Sequence, residues 1–338
     1  MGPTGRHRVL QIHPTRRCNL TCLHCYSSSG PAEREQLPIE LLHDALADAA
    51  AEGFDTLGVS GGEPLLYPHL PELLRAGREH GMVTTVTTNG MLLTPTLLAR
   101  IREHVHLLAI SLDGTPTSHE RMRGSPKAFT AMAANLELVR DAEVPFGFIF
   151  TLTQFNLDEL EWVAQFALEQ RATLLQIHPL EEVGRARTTL SGAAPDAQEG
   201  SHAFVEALKL QAQLGERLYV QVDLVPLDVA RSRPELLFAE DDPPDPESRL
   251  ADLVSPLVIE ADGTLSPLQY GFGRAFALGN LLERSFADLA HRWRREDYHR
   301  FRRLCQDVLR RRLAAGGWPM MNWYDVVAAS SRQVALLR

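Results

Sequence analysis

Short apolar runs rich in Val, Ile, Leu and Thr alternate, through the first half of the chain, with stretches whose apolar residues recur at helical spacing. Val9 to Ile12 reads as a strand. Ile39 to Ala51 reads as a helix, with Ile39, Leu41, Leu42, Ala45 and Leu46 on one face. The pairing then repeats. Thr56 to Val59 is followed by a helix from Pro68 to His80, and Val83 to Thr87 by Pro95 to Glu103. His106 to Leu112 precedes a longer helix around Ala128 to Ala142, and Pro145 to Thr151 precedes Asp158 to Gln170. Thr173 to Ile177 makes a sixth strand. Strands separated by helix-length connections predict a parallel sheet, because a parallel crossover needs a dozen or more residues. Six units suit a partial barrel and an open sheet equally, and the pattern alone does not choose.

Beyond Pro179 the regularity fails. Gly192 to Gly200 is small and polar and reads as a linker. Ser201 to Leu214 reads as a helix with Ser201 at its N-cap. Glu240 to Glu247 interleaves prolines with acids, which excludes a helix or a central strand. Leu257 to Glu260 and Thr264 to Ser266 flank Asp262-Gly263 and predict a β-hairpin. Arg284 to Arg312 predicts one or two helices. These shifts divide the chain into residues 1–190 and 191–338.

Composition narrows the class. With 338 residues, 44% hydrophobic and 23% charged, the chain can bury a core without disulfide staples. A net charge of −9 argues against a general nucleic-acid binder. The near absence of lysine, with only Lys127 and Lys209, is a compositional bias. There is no apolar run of transmembrane length and no signal-like segment in Met1 to Arg8, so the expected compartment is the cytoplasm, away from membranes.

Three of the 4 cysteines, Cys18, Cys22 and Cys25, fall just after the first strand with the spacing C-x3-C-x2-C. A disulfide framework does not suit this distribution. Three thiolates on one loop can hold three irons of a [4Fe–4S] cluster and leave the fourth open to another ligand. A zinc site would need a fourth ligand. His24 is the local candidate, but it is adjacent to Cys25, and neighbours in such a loop rarely both reach one ion.

The stretch Arg17-Cys18-Asn19-Leu20-Thr21-Cys22-Leu23-His24-Cys25-Tyr26 resembles the cluster motif of the radical S-adenosylmethionine (SAM) enzymes, whose pattern has an aromatic residue before the third cysteine, where many members have His or another residue, as this chain has His24. Ser60-Gly61-Gly62-Glu63-Pro64 after the second strand resembles their GGEP motif. Thr87-Thr88-Asn89-Gly90 and Ser111-Leu112-Asp113-Gly114 end the third and fourth strands. The likeness covers about residues 8 to 185. It implies a partial (β/α)6 TIM-like barrel, one [4Fe–4S] cluster on Cys18, Cys22 and Cys25, and SAM bound at the strands' carboxyl ends. It also implies reductive cleavage of SAM to a 5′-deoxyadenosyl radical that abstracts hydrogen from a substrate. Reduction needs an external low-potential donor of the flavodoxin or ferredoxin type.

The resemblance places the SAM amino group on Gly61, Gly62 and Glu63, though two glycines before Pro64 also read as a tight turn. Ser111 and Asp113 serve the carboxylate or the ribose, with a turn or cap as the alternative for Asp113. Asn89 is either a ligand contact or an ordinary Asn-Gly turn residue. Tyr26 offers its ring to the adenine or packs on the loop. Gln176 faces the cavity, and Thr151 and Asn156 complete a pattern seen in relatives.

In the second half, Gly184-Arg185-Ala186 and the hairpin running to Pro267, with Leu278 to Leu281, resemble members with an α+β SPASM or twitch extension. Those usually have a cysteine after the proline, where this chain has Leu268. Cys305 alone cannot hold a cluster, so the extension is expected to lack one, and Cys305 reads as a core residue or, alternatively, a catalytic thiol. Such relatives often modify ribosomally made peptides. Only 17 residues precede Cys18, too few for the leader-recognition domain that some such relatives carry, so a peptide substrate would need a separate recognition protein or direct strand pairing with the enzyme. Arg292 to Arg312 can serve an acidic leader or be a solvated face. Asp223, Asp228, Tyr270 and Arg274 are candidates for the substrate side. Competing readings are a radical enzyme of small molecules and an iron–sulfur electron carrier. The GGEP, TTNG and SLDG segments argue against the carrier, which needs no SAM pocket.

Overall fold

All six strand–helix units form. The computed structural model describes residues 7–241, 245, 248–316 and 319–336. Met1 to Arg6, and Asp242 to Pro244, Pro246 and Glu247 of the proline–acid segment, lie outside the described residues. The units are β1 (Val9–Ile12), α1 (Ile39–Ala51), β2 (Thr56–Val59), α2 (Leu70–Glu79), β3 (Val83–Thr88), α3 (Pro95–Ile101) and β4 (Leu107–Ser111). They continue with α4 (Pro116–Arg123), α5 (Ala128–Asp141), β5 (Phe146–Leu152), α6 (Leu160–Glu169) and β6 (Leu174–Pro179). β1 to β6 pair in chain order and all in parallel.

The second half adds α7 (Ala186–Thr189), α8 (Ala197–Leu214), β7 (Tyr219–Val222), β8 (Val225–Pro226), α9 (Leu227–Ser232) and α10 (Leu250–Leu253). It ends with β9 (Leu257–Ile259), β10 (Thr264–Pro267), β11 (Gly279–Asn280), α11 (Phe286–Glu296), α12 (Tyr298–Ala315), β12 (Met320–Met321) and α13 (Trp323–Leu336). These residues extend the first sheet at both edges. β7 lies parallel beside β6, and β9 parallel beside β1, carrying β10 and β11 antiparallel. One ten-stranded sheet results, with β11 and β7 as its unclosed edges. The hairpin turns at Asp262-Gly263, where Gly263 takes φ +84°.

The strands have two unlike faces. Leu10, Ile12, Leu57, Val59, Val86, Phe148, Phe150, Leu175 and Ile177 are buried in the apolar core. The alternate residues Gln11, Gly58, Thr85, Thr87, Thr151, Gln176 and His178 are only half-buried. This polar inner face is where a partial barrel keeps its ligand space.

Two local differences from the sequence pattern have simple causes. α4 was not anticipated, because PTSHERMR carries no apolar stripe; Pro116 at its first turn and Gly124 in the left-handed conformation bound it. α8 begins at Ala197 rather than Ser201. Asp196 caps it by accepting from Gln198 and Glu199 N–H, and Glu199 completes the capping box. Arg284 to Arg312 resolves into two helices, the first capped by Ser285. No helix among the described residues is long and apolar enough to cross a membrane.

Cys305 is fully buried in α12 within the main core, and burial pushes its thiol above the usual range. A thiol so placed packs and does not react. Cys305→Ala is expected to cost on the order of 1 kcal/mol of stability, which thermal melting checks.

Candidate active site

The cysteine loop leaves β1 and is closed at its base. Cys18 N–H donates to Gly30 O (3.1 Å), and Gly30 N–H returns to Arg16 O (3.3 Å). Within it, Cys18 and Cys22 are buried against Leu20, with Cys25 and Met91 packed beside them. Leu20 N–H points at Cys18 Sγ (3.4 Å), and the Arg123 guanidinium reaches Cys22 Sγ (3.9 Å). The donor set is three thiols on one patch. His24 is turned away from it, with Nε2 3.8 Å from the Asp113 carboxylate. Among the described residues no three His, Cys, Asp or Glu side chains form a group that could hold a single ion. With His24 directed at Asp113, the loop offers a single zinc ion three thiols and no histidine as the fourth ligand. A [4Fe–4S] cluster takes one thiolate per iron, so the same donors fit it. Burial pushes the Cys18 thiol up to about 12, so cluster binding would displace its proton.

The GGE turn is built against this loop. Gly62 N–H donates to Thr15 O (2.9 Å) and Glu63 N–H to Arg17 O (2.9 Å). Gly61 holds φ +106°. At Gly62 a Cβ would lie 2.3 Å from Arg17 O. Glu63 is buried and accepts from Leu65 N–H (3.1 Å), Thr88 Oγ1 (2.7 Å) and Asn89 N–H (2.9 Å). Burial pushes its carboxyl up, and these donors oppose the shift. Asn89 in turn donates to Asn19 Oδ1 (2.8 Å) inside the cysteine loop. Glu63 and Asn89 thus join the ends of β2 and β3 to the loop.

Asp113 closes the end of β4 from inside. It is fully buried, 2.6 Å from Arg123 Nε. Burial would raise its carboxyl, but the Arg123 charge reverses this and holds it well below the usual range. His24 and His119 beside it are both lowered to about 4, chiefly by burial, and so are neutral at pH 7. The ion-pair partner is Arg123 alone. Ser111, at the end of β4, is 7% exposed. Asn156 is a structural residue, donating to Asp113 O (3.1 Å) and Thr151 O (2.9 Å).

Tyr26 Oη lies 3.1 Å from Ser60 Oγ. Its ring packs on His13 and Tyr270, and the last two stack at 5.1 Å. His13 is buried, and neither ring nitrogen has a hydrogen-bond partner among the described residues. Tyr270 comes from the segment after β10, so the C-terminal half reaches this wall. Gln176 donates to Asp223 Oδ2 (2.7 Å), which also meets His178 Nδ1 (2.9 Å). Glu181 lies 3.5 Å from His178 Nε2. Burial would lower His178, but the two carboxylates outweigh it and hold the imidazole above its ordinary value. Sequence reasoning named Gln176 and Asp223 but missed His178, whose place beside Thr151 is set by strand register. Arg274 is turned instead to Glu260 (2.8 Å) and Asp262 (3.1 Å), and Asp228 sits in the exposed first turn of α9.

A parallel α/β sheet that carries three thiols and a glycine turn at its carboxyl ends has the donor set of an iron–sulfur α/β enzyme. Residues 12–167 match the family model described as the Radical SAM superfamily. Over those residues the chain is similar to that superfamily, whose cofactors are a [4Fe–4S] cluster and SAM. An AdoMet-dependent heme synthase of Methanosarcina barkeri is 31% identical over 209 residues, covering 61% of this chain and 60% of the relative. A PqqA peptide cyclase of Ruegeria pomeroyi is 30% identical over 233 residues, covering 65% and 59%. The chain thus spans about 60% of these curated relatives. The solved structure of Streptococcus suis SuiB bound to precursor peptide SuiA shares the fold at TM-score 0.67 and 17% identity, over 88% of this chain and 66% of that one.

Proposed function

We propose that the protein cleaves SAM reductively at a cluster held by Cys18, Cys22 and Cys25, and removes hydrogen from a ribosomally synthesised precursor peptide. The carrying observation is the patch of three thiols fastened to the GGE turn by Glu63–Arg17 and Gly62–Thr15 hydrogen bonds. When bound, the cluster supplies the electron that breaks SAM to a 5′-deoxyadenosyl radical. The protein's part is to hold and shield.

Gly61 and Gly62 leave backbone room for the methionine amino group, and buried Glu63 keeps that turn in place. For the carboxylate, Arg123 and Ser111 are the reading we favour over Asp113, since the Asp113 carboxylate would repel an anion while Arg123 attracts one. Tyr26 borders the nucleoside side with Ser60. Gln176, His178 and Asp223 face the substrate space.

Residues 1–190 form the barrel portion in this reading, and residues 191–338 a SPASM- or twitch-like extension without a second cluster. Leu268 stands where a ligand would be needed, and Cys305 is buried in α12. The working context is a cytoplasmic enzyme with a flavodoxin- or ferredoxin-type donor and a separate peptide-recognition protein. The PqqA cyclase and the SuiA-bound SuiB support a peptide substrate. The heme synthase relative supports a second reading, a small molecule of natural-product or cofactor biosynthesis.

Anaerobic reconstitution should give about four iron and four sulfide per chain, as for one cluster. A value near twice that refutes the cluster-free extension. Incubation with SAM and deuterated precursor peptides encoded beside the gene should move deuterium into 5′-deoxyadenosine. Transfer from small molecules alone selects the second reading, and no 5′-deoxyadenosine at all refutes both.

A further inference from the structure

The segment after β6 makes no contact that the proposed chemistry requires, yet it is bound tightly to the cysteine loop. Arg185 Nη1 donates to Cys22 O (2.8 Å) and its Nη2 to Ser29 O (2.6 Å). Its backbone N–H donates to Cys25 O (2.9 Å). One residue therefore touches the second ligand, the third ligand and the loop's closing strand. Gly184 beside it takes φ +58°, and a Cβ there would fall 2.1 Å from Tyr26 O. Only glycine lets the two backbones approach this closely. Thr189, one turn on, donates to Leu23 O (2.6 Å). The carbonyls of Cys22, Leu23, Cys25 and Ser29 are all taken by this one segment.

Those carbonyls are what a ligand loop most needs to have satisfied. A loop of irregular backbone has no ladder to hold it, and buried oxygens without donors are costly. A guanidinium presents several donors in a rigid plane, so Arg185 can fix two carbonyls seven residues apart with one side chain. An ammonium at the same place is a point donor without that fork.

We propose that Arg185 is a positioning residue that holds the cysteine loop in its ligand-presenting shape before any iron arrives. The proposal rests on the assignment of Cys18, Cys22 and Cys25 as cluster ligands. Preorganisation has two consequences. The apo loop is ordered, and the cluster, once bound, is retained because each thiolate need not find its place again. The residue acts through the loop, by way of the carbonyls it holds.

Hydrogen exchange of the full-length apo protein, read by mass spectrometry over residues 18 to 30, tests the first consequence. Arg185→Ala should raise exchange there at least tenfold while the peptides of β2 to β5 keep wild-type protection. Iron release from reconstituted protein to a ferrous chelator tests the second, with an expected acceleration of at least tenfold. Arg185→Lys should fall between the two, and the reduced cluster's electron paramagnetic resonance signal should broaden in both variants. Wild-type exchange and wild-type iron release in Arg185→Ala overturn the proposal. So does a Lys variant indistinguishable from wild type, because then the fork is not used. Should Arg185→Ala unfold, the Lys variant still decides. If the wild type itself takes up no cluster, the functional assignment fails, while the apo exchange comparison still reads the clamp.

Discussion

On the proposed ligand set, Cys18→Ala, Cys22→Ala and Cys25→Ala are each expected to reduce bound iron from about four per chain to near zero and to bring SAM cleavage to background. The all-or-none size of the effect follows from the ligand count. With three protein thiolates on one cluster, losing one leaves two irons without a protein ligand, and no substitute stands nearby. His24 is directed at Asp113, and Cys305 is buried in α12. The variants should nevertheless stay folded. The loop is fixed by backbone bonds between Cys18 and Gly30 and by Arg185, not by the sulfurs themselves. Removing one Sγ from the small Cys18–Leu20–Cys22 patch should cost on the order of 1 kcal/mol. Iron analysis, visible absorbance and 5′-deoxyadenosine formation on the folded variants check the outcome. Cleavage surviving in any one of them removes that cysteine from the ligand set.

What the sequence made legible was local. β1 to β6 and their helices were readable because each carries its own apolar period, and the hairpin at Gly263 because Asp-Gly announces its turn. The thiol spacing was readable because the three ligands share one loop. What could not be read is set by distant partners. Arg123 lies 101 residues from Cys22, and Arg185 lies 163 residues from it. No pattern along the chain marks either as a neighbour of the loop. Asp113 gave no sign along the chain of its pairing with Arg123, 2.6 Å away, because a buried carboxylate is settled by whichever cation the fold brings beside it. The seat of β9 beside β1 depends on the pairing of Leu10 with Leu257, which no periodicity encodes. Nothing along the chain marked His178, which falls just past the apolar run of the sixth strand. Its charge is fixed by Asp223, brought alongside only when β7 docks on β6.

Gly62→Ala is expected to lower SAM affinity by about two orders of magnitude while Gly200→Ala leaves it unchanged. Gly200 lies inside α8, where a Cβ would meet nothing closer than Leu224 Cδ1 at 3.6 Å. Alanine there should stabilise the helix by roughly 1 kcal/mol. At Gly62 the same methyl would lie 2.3 Å from Arg17 O and 2.8 Å from the carbonyl carbons of Arg16 and Arg17. These are backbone atoms and cannot rotate aside. Either the GGE turn retreats or the chain leading into Cys18 does. Retreat breaks the Gly62–Thr15 and Glu63–Arg17 hydrogen bonds that register the turn against the loop. Overpacking of this kind costs up to about 3 kcal/mol, which corresponds to a factor of roughly 150 in affinity if it falls on the SAM-bound state. Equilibrium dialysis with labelled SAM on reconstituted protein measures it, with iron content as the internal control. Unchanged affinity in Gly62→Ala, with the cluster in place, would mean that SAM does not bind along this turn. The thiol patch would then have to serve a ligand approaching from another side.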